Sequence, residues 1–145
     1  MPTPTYPETR YAAIQPVNLA SKDERARLSA SALKGFFQLA RRWKLRDEDA
    51  KQLLGGVTNG PYYEMKRHPE NRVLNADTLL RVSYLLGIFK ALSSLHGQPL
   101  ADEWISLPNN NQIFEGRTPL AYMLGGGLLA MQTVRQLLDA RRGGL

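Results

Sequence analysis

The chain has 145 residues, 43% hydrophobic and 22% charged, which suits one or two small lobes with a buried core and does not suit a disordered chain. Lys and Arg total 19 against 13 Asp and Glu, so the formal charge of +6 favours an acidic partner, nucleic acid first. With no cysteine and two histidines, a disulfide framework, a thiolate zinc site and a cysteine nucleophile are excluded, an imidazole metal centre is hard to build, and a cytoplasmic location is expected.

Residues 1–20 hold four of the nine prolines and no apolar period, so an extended tail is expected there. The mainly apolar run Tyr84 to Leu95 is broken by Gly87 and Lys90 and falls short of the roughly 20 residues of a bilayer span. No signal pattern opens the chain, and no membrane partner is expected. Between Ser21 and Val73 there are 12 Lys/Arg against 7 Asp/Glu, which places most of the positive excess in the first folded half.

Leu33, Phe36, Phe37, Ala40 and Trp43 share one face of a helix predicted from about Asp23 to Trp43. A short helix follows from Asp47 to Leu54, with Asp47, Glu48 and Asp49 in the first turn, where the helix dipole favours them, and Gly55 as its stop. A third starts near Thr58 and ends before Pro69. The fourth, capped by Asn75 and reaching about Leu95, is apolar nearly all round, so it must be buried on more than one side, as a spine between lobes or in a subunit interface. A short helix near Leu100 to Ser106 precedes a loop to Arg117. Thr118 then caps a helix with Pro119 at its first position, the glycine triplet Gly125 to Gly127 ends it, and a last helix covers Leu128 to about Ala140. The expected fold is all-α with roughly seven helices and no strand.

Two short helices joined by Gly55-Gly56-Val57 have the spacing of a helix-turn-helix, although such pairs also occur in ordinary helical domains. The second helix adds a chemical reason: Thr58, Asn59, Tyr62, Tyr63, Lys66 and Arg67 supply hydroxyl, amide, phenol and cationic groups suited to phosphates and base edges, with one tyrosine expected in the core. Arg41, Arg42, Lys44 and Arg46 fit a charged helix end better than a phosphate clamp. The glycine triplet follows no strand and lacks the lysine of a phosphate loop. Carboxylates are scattered, and no catalytic, metal or cofactor constellation emerges.

Three separated segments carry a family resemblance: Leu74 to Leu92 (LNADTLLRVSYLLGIFKAL), Ile113 to Gly127 (IFEGRTPLAYMLGGG) and Val134 to Gly144 (VRQLLDARRGG). In this order they resemble the Xre/MbcA/ParS antitoxins, over roughly Ala30 to Gly144. The resemblance implies a dimer with an Xre-like DNA-binding lobe, here residues 21–97, and a toxin-binding lobe, here 98–145. It also implies a RES-domain toxin as partner, with an active site on NAD that the antitoxin covers, and repression of the antitoxin's own operator. NAD would be the partner's substrate, not a cofactor of this chain.

Two positions depart from the family's recognition-helix pattern: Glu64 stands for an arginine and Met65 for a tryptophan. Glu64 repels phosphate or accepts from cytosine, and Met65 is expected to stay buried. Glu115 replaces a common glycine. On the last helix, Ala130, Met131, Val134, Leu137 and Leu138 form the expected core stripe. Arg135, Asp139, Arg141, Arg142, Gly143 and Gly144 are the candidate toxin contacts, since guanidinium groups suit carboxylate or phosphate sites and glycines allow close approach. The alternative is a helix-turn-helix repressor without a toxin.

Overall fold

A computed structural model describes residues 18–143. The helices are α1 (Lys22–Arg42), α2 (Asp47–Leu53), α3 (Asn59–Arg67), α4 (Ala76–Leu95), α5 (Leu100–Glu103) and α6 (Pro119–Arg142). Single 3-10 turns lie at Pro69–Asn71, Trp104–Ser106 and Gln112–Phe114, and no strand occurs among the described residues. The all-α expectation holds. Most of the proline-rich tail, residues 1–17, lies outside the described residues.

Side-chain oxygens set three helix starts by taking amides that have no partner within the helix. Ser21 Oγ accepts from Glu24 N at 3.4 Å, Asn75 Oδ1 from Thr78 N at 2.8 Å, and Thr118 Oγ1 from Ala121 N at 3.0 Å. His68 and His96 occupy helix C-caps.

Helix α4 is the spine. It packs against α1 on one side and α6 on the other, and Val82, Leu85, Ile88, Ala91 and Leu92 are fully enclosed. By length and composition α4 would also suit a membrane span. Its apolar surface instead goes into a core that runs unbroken from Leu33 and Phe36 of α1 to Val134 and Leu138 of α6. Trp43, Trp104 and Met65 are buried in that core, as expected from their size or flexibility. Two buried hydroxyls join elements: Ser29 Oγ accepts from Leu74 N at 2.8 Å, and Thr78 Oγ1 donates to Leu54 O at 3.2 Å.

The glycine triplet interrupts α6 at one residue only. Gly127 has φ 65° and ψ −142°, a conformation in which a side chain costs about 1–3 kcal/mol. In an unbroken helix the Leu124 carbonyl would accept from residue 128; here it accepts from Gln52 Nε2 of α2 at 2.8 Å. The break expected at the triplet is therefore present: residues 119–126 and 128–142 are two helical segments joined at Gly127, and the break is bonded to α2. Glu115 has φ 51° and ψ 40°, in the left-handed region. A glycine would hold that conformation without the Cβ penalty.

Candidate nucleic-acid and toxin interfaces

The α2–α3 pair turns through Gly55 at φ 110° and Gly56 at φ 85°. The first turn of α2 lies against α3, so the Asp47 carboxylate reaches three of its side chains. Tyr62 Oη donates to Asp47 Oδ1 at 2.8 Å, Tyr63 Oη to Oδ2 at 3.3 Å, and Lys66 Nζ lies 3.3 Å from Oδ1. From its sequence position Asp47 complements the α2 dipole; in the fold it also braces the second helix.

Tyr62 is 1% exposed, edge-on to Phe37 with ring centroids 5.7 Å apart. It is therefore the core tyrosine and is corrected from a surface contact to a support beneath the surface. Thr58, the N-cap residue, is exposed, as are Asn59, Tyr63, Glu64, Lys66 and Arg67. Asn59 Oδ1 accepts from Lys51 Nζ. Arg67 Nη2 donates to Glu64 Oε1 at 2.9 Å, so this carboxylate neutralises its neighbour. Both cations of α3 are paired, but in solvent, where such pairs are worth about 0–1 kcal/mol and a phosphate can displace the carboxylate. Of the basic cluster at the end of α1, Arg42 bonds Asp102 Oδ2 at 2.9 Å and covers the Phe89 ring, a structural role.

The hydrogen bond from Tyr62, helped by Lys66 and Tyr63 and opposed by desolvation, holds the Asp47 carboxyl below its ordinary value of 3.8. A depressed carboxyl stabilises the fold above its unfolded value and loses that contribution as pH falls through its folded value. Thermal unfolding of the parent and of Asp47→Asn should differ by a constant amount above 3.8 and converge below it. A difference independent of pH down to acid unfolding would show that this carboxylate does not carry the bracing.

At the other end, Arg135 is outward-facing by its helix period, yet it lies across α4. Its Nη1 donates to Ser83 O at 3.3 Å, and the guanidinium occupies the space above Gly87, where a Cβ would collide with it. Asp139 Oδ2 accepts from Arg135 Nε at 3.1 Å, and its Oδ1 is 3.8 Å from Arg142 Nη1. Arg141, Arg142 and Gly143 are exposed, and Gly144 lies outside the described residues. Leu129, absent from the expected contacts, is 74% exposed. Its sequence signal was an apolar residue off the core stripe.

These features define an all-helical module with the short α2–α3 pair at one end and a kinked C-terminal helix at the other. The chain belongs to the Xre/MbcA/ParS antitoxin family. The model for that family's C-terminal toxin-binding domain matches residues 91–144, beginning within α4. The chain is 37% identical over 131 residues to the uncharacterized protein y4oB of Sinorhizobium fredii (strain NBRC 101917 / NGR234), covering 90% of this chain and 98% of that protein. No solved structure matches. The chain is thus an antitoxin of a toxin–antitoxin pair, and its partner in general terms is a toxin.

Proposed function

We propose that this antitoxin neutralises a RES-domain toxin that acts on NAD, by covering the toxin's active site, and represses its own operator as a homodimer. The carrying observation is one continuous core that joins a toxin-binding family domain to a helix pair exposing Tyr63, Lys66 and Arg67. The RES assignment is supported by the three sequence segments named above. Residues 21–97 serve as the DNA lobe and 98–145 as the toxin lobe. Thr58, Asn59, Tyr63, Lys66 and Arg67 meet DNA, and Tyr62 positions them. Arg141 and Arg142, with the glycines beyond, suit a cleft shaped for a dinucleotide; Arg135 and Asp139 lie beside it. The chain itself performs no catalysis.

Co-purification with a RES-domain protein of the same genome, and loss of that protein's NAD consumption in the complex, test the toxin half. For the DNA half, Lys66→Ala combined with Arg67→Ala should weaken binding to the promoter and reduce the salt slope by about one unit for each phosphate that is no longer neutralised. Gel shifts that superimpose with the parent at every salt concentration would remove α3 from the interface. An operator without an inverted repeat would count against the homodimer.

A further inference from the structure

Beyond the kink, α6 presents a second row besides its core stripe. Leu129, Gln132, Thr133, Gln136 and Ala140 recur at three- and four-residue intervals and therefore share one face. From Leu129 to Ala140 the row extends about 16 Å at 1.5 Å per residue. Leu129, Gln136 and Ala140 are exposed, and Gln132 and Thr133 are half-buried. The row carries no charge. Arg135 and Asp139, on its flank, satisfy each other, and Thr133 Oγ1 is committed to Leu129 O at 3.0 Å.

Leu129 stands out energetically. At 74% exposed it leaves far more of its side chain in water than Val73 at 46%, the next of the exposed large apolar residues. Burying such a side chain against a partner is favourable in proportion to the apolar area removed from water. The fold has no use for it there, since Ala130 and Met131 already turn into the core. A leucine at one end of a neutral helical face, followed by two amides and an alanine, fits an apolar-ended groove in another protein, in the manner of a helix laid in a groove.

We propose that the toxin docks on this row, with Leu129 as its apolar anchor and Gln136 at its centre. The cationic tail then acts as an extension of the docked face, not as the main source of affinity. The occupant is the toxin and not a second copy because the whole row lies within residues 91–144, the toxin-binding family domain.

This rests on the toxin-binding reading above, and the test separates the two. Purified antitoxin is titrated with a purified RES-domain toxin from the same genome, by calorimetry. The parent is compared with Leu129→Lys, Gln136→Arg and a chain lacking residues 141–145. Because Leu129 and Gln136 are exposed, both variants should melt like the parent. Each should bind the toxin at least about tenfold more weakly, as expected for an interface anchor and for a bulky charge at an interface centre. The truncation should lose less. A parent that does not bind overturns the toxin reading and this proposal together. A parent that binds, with both substitutions matching it, overturns the docking row alone. Changed self-association with unchanged toxin affinity would assign the row to a second copy and also overturn the proposal.

Discussion

Replacing Tyr62 with Ala is expected to cost about 3–5 kcal/mol, as for other large aromatic side chains removed from a core. Tyr62→Phe should cost about 0.5–1.5 kcal/mol, the usual net contribution of one hydrogen bond, since Asp47 keeps its other donors. The larger loss follows from position: the ring fills the space between α1 and the α2–α3 pair, edge-on to Phe37 and beside Tyr63 at 5.1 Å. The smaller loss isolates the bond to Asp47 at 2.8 Å. Burial first, then the adjacent carboxylate, pushes the phenol well above its ordinary value of 10, so it remains a donor throughout the neutral range. Urea unfolding should show a lower midpoint with unchanged slope for Tyr62→Phe. Promoter binding by that variant should fall further than its residual folded fraction explains, because Lys66 and Tyr63 share the same carboxylate. Midpoints equal to the parent's would show that the Asp47 bracing adds nothing.

Helix starts were legible because capping is local: Asn75 and Thr118 sit next to the periods they open, and both accept the expected amides. The same locality located the break in α6, although the triplet alone did not say which glycine leaves helical geometry; Gly127 does. Relations across elements were not legible. Asp47 reads as one of three acidic residues in a first turn, and only the approach of α2 to α3 shows that it, and not Glu48 or Asp49, meets Tyr62, Tyr63 and Lys66. Arg135 reads as solvent-facing from its own helix. What draws it inward is the missing side chain at Gly87 on the neighbouring helix, 48 positions earlier, which leaves room for a guanidinium against the Ser83 carbonyl. Tyr62 and Tyr63 are adjacent and chemically equal, so the sequence predicts that one is buried without saying which.

Val134→Asp should unfold the α1–α3 half as well as the half that carries the toxin-binding family domain. Val134 is 0% exposed on the α6 face that packs on α4. A carboxylate there has no cation on the core side to pair with, since its neighbours in the cluster are apolar. An uncompensated buried charge costs about 3–5 kcal/mol where breaking a buried pair exposes it, a large share of the 5–15 kcal/mol that usually holds a domain together. The same substitution at Leu129, five residues earlier on the same helix, places the charge in water and should leave the melting temperature unchanged. The contrast also reports on how the two halves are coupled. Leu33, Phe36, Val82, Leu85, Val134 and Leu138 belong to a single cluster, and α4 supplies its centre to both halves. Removal of the α6 contribution therefore exposes one side of α4 and should take α1 and the α2–α3 pair with it. Circular dichroism and gel shifts on Val134→Asp should then show helix loss and loss of promoter binding together, in one transition. A variant that lost the toxin yet still bound the promoter with parental affinity would mean that residues 21–97 fold without α6, and that the shared core is two cores in contact.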